Sequence, residues 1–170
     1  TVTYTALARD DRQRFRYNAR IDGAEEGLDF IATGTAETDF LTNRTGFVVL
    51  HPSELAGRAV TIEHADGNRE DGRFPQAIDP VQPMLDLRAL THEAAPGLRV
   101  ACRMEGDVYE MEDQRNWTDA SYKTYVRPLA RPWPYTLAKG ETLDQAVRLT
   151  LTGAVPAVAG RTGDVTLAIG

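Results

Sequence analysis

Residues 112–125 read EDQRNWTDASYKTY. Glu112, Asp113, Arg115, Asp119 and Lys123 put both signs of charge into one short connection, with Trp117, Tyr122 and Tyr125 among them. A carboxylate beside a guanidinium or an ammonium can do two kinds of work. It can act as a base that activates water while the cation steadies an oxyanion, or it can hold a hydroxyl-rich ligand. Asn116, Thr118 and Ser121 are short polar side chains that tie down turns, and Trp117 offers a ring on which the C–H face of a sugar can lie. An internal network that merely pins the loop would use the same residues. Arg115, Trp117 and Asp119 are expected to be ordered and at least half buried.

A second cluster lies in DFLTNRTGFVVLHP. Asn43 and Gly46 bracket a turn, since both residue types tolerate positive φ. Arg44 can fork onto a carboxylate or a sugar hydroxyl. His51 closes the following run ahead of Pro52 and can serve as a base near neutral pH or as a structural hydrogen-bonder. The catalytic candidates are therefore Glu112, Asp113 and His51. The candidates for holding a substrate or a neighbouring domain are Asn43, Arg44, Arg115, Asn116, Trp117, Asp119 and Lys123. Trp133 and Tyr135 can add ring surface if the fold brings RPWPY near.

These groups need a frame, and period-two alternation supplies it. In RFRYNARI, Phe15, Tyr17, Ala19 and Ile21 face one way and Arg14, Arg16, Asn18 and Arg20 the other, the mark of a half-buried strand. DGAEEG turns the chain into LDFIAT. TGFVVLHP reads as a more fully buried strand, and HPSELAG as one helical turn capped by Ser53. RAVTIEH and NREDGRFP flank the hairpin signal Asp66-Gly67. EGD is expected to turn LRVACRME directly into VYEMED as a second hairpin. KTYVRPLA and TLDQAVRLTLTG continue the pattern, the latter with a bulge expected near Ala146. The prolines of ARPWPYTLAKGE suit an edge or a loop. Strands at this spacing, with little helix, predict an all-β antiparallel sandwich over residues 1–152. GAVPAVAGRTGDVTLAIG, from Gly153 to the end, reads as an exit strand or linker.

The chain has 170 residues, a net charge of -6 and a single cysteine, Cys102. The arginines are interspersed with acids, so no basic stripe marks a nucleic-acid partner. Cys102 alternates with Val100 and Met104 and is expected to be a small buried residue. One cysteine forms no internal disulfide, which fits the cytoplasm. No apolar run approaches the ~20 residues of a membrane span. His51, His64 and His92 lie at no metal-binding spacing, and neither GxSxG nor GxGxxG occurs, so no metal and no cofactor are expected. The sequon matches at 43–45 and 116–118 are read as fortuitous.

NRTGFVVLHP, GRFPQAIDPVQPMLDLRALTHE and MEGDVYEMEDQRNWTDASYKTYVRPLARPWPYTL together resemble the N-terminal domain of the D-apionate lactonase family, over about Asp39 to Leu151. The resemblance implies a β-rich domain ahead of a TIM-barrel-like domain in the same polypeptide. It also implies hydrolysis of the lactone of a branched sugar acid in apiose catabolism. The chain ends at VTLAIG, about where that barrel would begin, so the N-terminal domain alone is expected. It would support or border an active site shared with the barrel. The alternative is a stand-alone carbohydrate-binding protein or a mutarotase-like supersandwich, an analogy of fold alone.

Overall fold

Alternating residues with polar turns between them build thirteen strands in the computed structural model, which describes residues 1–154. In chain order these are β1 (Val2–Arg9), β2 (Arg14–Ala24), β3 (Gly27–Ala36), β4 (Phe40–Thr42), β5 (Val48–Pro52), β6 (Ala59–His64) and β7 (Arg69–Arg73). After them come β8 (Met84–Ala95), β9 (Leu98–Glu105), β10 (Tyr109–Asp113), β11 (Ser121–Val126), β12 (Tyr135–Leu137) and β13 (Thr142–Gly153). The helical content described is two short 3-10 turns, Ser53–Leu55 and Gln114–Trp117. Among the described residues no helix is long and apolar enough to cross a membrane. Of the segment read as a linker, Gly153 ends β13, and the residues from 155 onward lie outside the described ones.

One antiparallel sheet runs β1-β2-β3-β13-β9-β8-β10-β11-β5, with β6 on β8 and β7 on β6, and β4 and β12 form a separate pair. The sheet curls on itself. β8 carries β6 and β9 from Leu87 onward and β10 at Met84 and Leu87, where the register shifts around Asp86 at φ 53. That change of direction turns β10, β11 and β5 back over β6, β9 and β13. Leu90, Met104, Met111, Tyr122, Phe74 and Val147 then meet in one core. Burying side chains of that size between two layers is the main force holding the sandwich closed. Cys102 is buried there, and burial pushes its thiol up to about 11. A second, smaller cluster of Phe15, Ala36 and Leu137, with Phe40, Tyr135 and Leu143 against it, closes one end.

β2 keeps the expected alternation, with Phe15 and Ala19 buried and Arg14, Asn18 and Arg20 exposed. β6 and β7 form the hairpin around Asp66-Gly67, where Gly67 takes φ +89. Four local expectations need correction. EGD does not make a hairpin, because β8 intervenes: β9 pairs with β8 and β13, and β10 with β8 and β11. β5 is an edge strand rather than a buried one, leaving Val48 54% and Leu50 60% exposed. Ser53 does not cap its turn; Pro52 holds the cap position and makes no side-chain hydrogen bond. β13 runs without a bulge past Ala146, its register against β3 unbroken from Thr142 to Thr150. Gln145, Ala146 and Val147 are buried in succession because a strand in the middle of a curled sheet is covered on both faces.

Candidate functional site

The opening connection joins β10 to β11, whose register sets Glu112 against Lys123 and Asp113 against Tyr122. Successive side chains of a strand point to opposite faces, so Glu112 and Asp113 belong to two separate networks. The turn between the strands starts at Asp113, whose carboxylate accepts from the backbone N–H of Arg115, and ends at Thr118 in the left-handed conformation.

On the inner face Asp113 is 1% exposed. Arg115 donates to it from Nε at 2.8 Å and from Nη2 at 2.7 Å. Arg115 also donates to the carbonyls of Pro75, Gln76 and Ala77. Its guanidinium lies 4.6 Å from the centre of the Tyr122 ring, and Tyr122 Oη donates to Pro75 O at 2.7 Å. The backbone N–H of Asp79 gives Asp113 a further hydrogen bond at 3.0 Å. The unit is a brace that fastens residues 75–79 to the hairpin. Burial alone would push the Asp113 carboxyl up. The hydrogen bonds from Arg115 and from the two backbone N–H groups outweigh that and hold it below the usual carboxylate range. A carboxylate held this way is a poor proton acceptor near neutral pH.

On the outer face Glu112 pairs with Lys123 at 2.7 Å and accepts from Trp117 Nε1 at 2.9 Å. Lys123 Nζ and the Arg44 guanidinium lie 5.3 and 5.2 Å from the centre of the Tyr125 ring. Tyr125 Oη donates to Glu110 Oε1 at 2.5 Å, and the buried Glu110 also accepts from Leu129 N. Burial acts to raise the Glu112 carboxyl, but its bonds to Lys123 and Trp117 hold it below the ordinary value. Trp117 does not meet the expected burial. It is 65% exposed, because the 3-10 turn carries it outward and the single bond to Glu112 tethers only its ring nitrogen. Asp119 is also exposed rather than half buried, as are Asn116 and Asn43. Tyr135 does not join this face; it packs with Phe15 and Phe40.

His51 faces the core from β5, 5% exposed, its Nε2 3.0 Å from Thr124 Oγ1. Burial first, and the charge of nearby His92 second, lower its pKa to about 4. It is a neutral core histidine beside Phe74, whose ring also meets His92. The structure therefore brings Arg44 and Lys123 over Tyr125, with Glu112 bonded to Lys123 and Trp117 bonded to Glu112. Asp113 and Arg115 lie on the opposite face, and His51 lies in the core.

Arg44 also borders a cleft of about 460 Å³ whose walls include Tyr4, Phe15, Tyr17, Phe40 and Gln145. Tyr4, Phe40 and Gln145 were not singled out in the sequence. The register explains why they meet: Tyr4 lies across from Ala19, Ala19 from Ala32, and Ala32 from Gln145. Alternation in VTYTALA was the available signal for β1. The juxtaposition with β13, more than a hundred residues away, had none.

The geometry can be set beside known proteins. A model of the D-apionate lactonase N-terminal domain family matches residues 1–154, extending the likeness to the first residue. D-apionate lactonase from Brucella anthropi is 47% identical over 154 residues, covering 89% of this chain and 25% of that protein. The chain thus spans about a quarter of the length of that relative. Among solved structures, a putative aldose 1-epimerase from Escherichia coli K12 aligns at a TM-score of 0.47 and 11% identity, covering 89% of this chain and 65% of that one, too loosely to bear on function. With its family match running the length of the described strands, the chain belongs to the D-apionate lactonase N-terminal domain family.

Proposed function

We propose that this chain is the N-terminal β-sandwich of a cytoplasmic sugar-acid lactone hydrolase that opens D-apionate lactone. In this reading residues 1–152 form the sandwich and residues 153–170 lead toward a barrel-like domain of the same polypeptide. The domain supports or borders the active site and does not itself carry the reacting groups. One observation carries the supporting role. Each sequence candidate for a general base is already committed: Asp113 to Arg115, Glu112 to Lys123 and Trp117, and His51 to Thr124 inside the core. Groups so engaged stiffen a wall, and their ion pairs or burial, which lower their affinity for a proton, make them poor bases toward water.

The chain is to be assayed with D-apionate lactone, and no hydrolysis above the spontaneous rate is expected. In the longer polypeptide, Glu112→Ala and His51→Ala should leave kcat within a few-fold of wild type. Hydrolysis by this chain alone would overturn the supporting role. So would a ~10²–10³-fold loss of kcat at Glu112 with the fold intact, the size expected when a group acting on the transition state is removed.

A further inference from the structure

Hydrogen-bond accounting around the Arg44 cleft leaves one group open. Gln145 is spent: Oε1 accepts from Phe47 N at 3.0 Å and Nε2 donates to Thr45 O at 3.2 Å. Thr42 Oγ1 donates to Arg44 O, and Thr45 Oγ1 donates to Thr42 Oγ1. These bonds fix the backbone of the 42–47 loop. Gly46 belongs to the same lock, because a Cβ there would stand 2.2 Å from Gln145 Oε1. Among the described residues the Arg44 side chain that this rigid loop presents has no ion-pair partner. Its Nε is buried with no hydrogen-bond partner. The carboxylate that feels its charge, Glu112, is held by Lys123 and Trp117. The terminal nitrogens of Arg44 are not buried and make no hydrogen bond among the described residues, so they are the groups left for an acceptor from outside the protein.

The rest of the cleft says what shape that ligand has. Tyr4, 46% exposed, and Tyr17 stand edge to face at 6.0 Å and 80°, and Phe15 and Phe40 pack at 5.2 Å. Ala32 and Gly34 leave the floor low beneath these rings. Any Cβ at Gly34 would meet the Phe15 ring at 2.2 Å. Ring faces beside one fork-shaped cation suit a molecule with a C–H face and a carboxylate at one end. The volume of about 460 Å³ lies within the range of small-molecule sites.

We propose that this cleft binds a sugar acid, with the carboxylate on the Arg44 guanidinium and the C–H face of the carbon chain against Tyr4 and Tyr17. The carboxylate half of the assignment stands on Arg44 itself. The sugar half rests on the lactonase reading, since opening a sugar lactone yields such an acid.

D-Gluconate serves as the probe, titrated into this chain and followed by ¹⁵N–¹H NMR. Saturable shifts are expected at Tyr4, Tyr17 and the 42–47 loop. Arg44→Gln should weaken binding by about tenfold or more, the loss of a charge-assisted pair, with Arg44→Lys intermediate. Tyr17→Leu should weaken it a few-fold. D-Glucose, lacking the carboxylate, should bind much more weakly than D-gluconate. Three results overturn the proposal: no saturable shifts, unchanged affinity in an Arg44→Gln protein that keeps the wild-type spectrum elsewhere, or shifts confined to the Trp117 face. Hexanoate binding as tightly as D-gluconate overturns the sugar half. The lactonase reading fails on a different observation, namely absence of lactone hydrolysis by the longer polypeptide, so the two failures are distinguishable.

Discussion

On the inner face of the β10–β11 hairpin, Arg115 spends all three guanidinium nitrogens on Asp113 and on the carbonyls of residues 75–77. On the other side of the same hairpin, Arg44 lies over Tyr125 with its Nε buried and unpartnered. Both are arginines stacked on tyrosines of β11, and both lie within the stretch that the lactonase N-terminal domain family matches. The difference lies in what reaches them. Arg115 sits two residues after a core-facing aspartate, on a turn whose own cap brings the two together. Arg44 sits on a loop locked through Gln145, and Glu112, the carboxylate that feels its charge, is already held by Lys123 and Trp117. Where the fold completes the hydrogen bonds, a conspicuous charge is architecture. Where it fixes the backbone and leaves the head group open, the charge is available for a ligand.

Removing Asp113 is the harshest way to break this comparison. Asp113→Ala leaves the Arg115 cation facing the Tyr122 ring without its anion and strips a partner from the N–H groups of Asp79 and Arg115. A loss of about 3 kcal/mol in urea unfolding is expected, the usual result of breaking a buried pair from one side. A loss below about 1 kcal/mol would show that the brace is ornamental and that both arginines are equally free. The lowered carboxyl of Asp113 gives stability that is present above the ordinary carboxylate range and is lost as pH falls below about 4. Asp113→Asn should flatten that acid limb.

His51 tests the core side of the same layer at a different pH. Its folded-state value of about 4 lies below the ordinary 6.5 because burial disfavours the cation. The unfolded chain therefore binds the proton first, and stability present above pH 6.5 drains away as pH falls toward 4. A difference of that size is on the order of 3 kcal/mol across the window. His51→Gln should remove most of the slope between these limits and leave a residue from His92, which burial also lowers. An unchanged slope would mean that His51 reaches solvent and is open to act as a base. Arg115→Lys is a milder test: it keeps the charge and gives up the fork. A loss of about 1 kcal/mol is expected, with residues 75–79 exchanging amide protons faster.

The sequence let most strands be read because a sandwich face is written in alternating residues, as in Phe15, Tyr17 and Ala19 of β2. It also let the Asp66-Gly67 turn be read, since that turn type has its own residue preference. Partnership between distant strands is not written locally. Nothing near Glu105 announces that β8 lies between β9 and β10, and nothing in VVLHP says that it forms an edge. For the site, the residue types in 112–123 were legible as paired charges. Which face each pair takes was fixed by strand parity and by the long-range position of the 75–79 loop. The Arg44 cleft was legible only at Arg44, since its walls come from β1, β2, β3, β4, β13 and the loop into β5.

Trp117 sharpens the comparison at its weakest point. Expected to be at least half buried, it is 65% exposed, and among the described residues its side chain is hydrogen-bonded through the indole N–H to Glu112. Trp117→Ala should change the stability of this chain by no more than about 0.5 kcal/mol, as exposed substitutions usually do, measured by urea unfolding beside Asp113→Ala. The same variant should leave D-gluconate affinity unchanged, because Trp117 does not line the Arg44 cleft. A loss above about 1.5 kcal/mol would place Trp117 with Arg115 as part of the brace. A loss of D-gluconate affinity would instead place the sugar on the outer face of β10 and β11, and would move the open cation's ligand from the cleft to the aromatic turn. Neither effect is expected, because Glu112, which holds the Trp117 ring nitrogen, stays paired with Lys123 when the ring is gone.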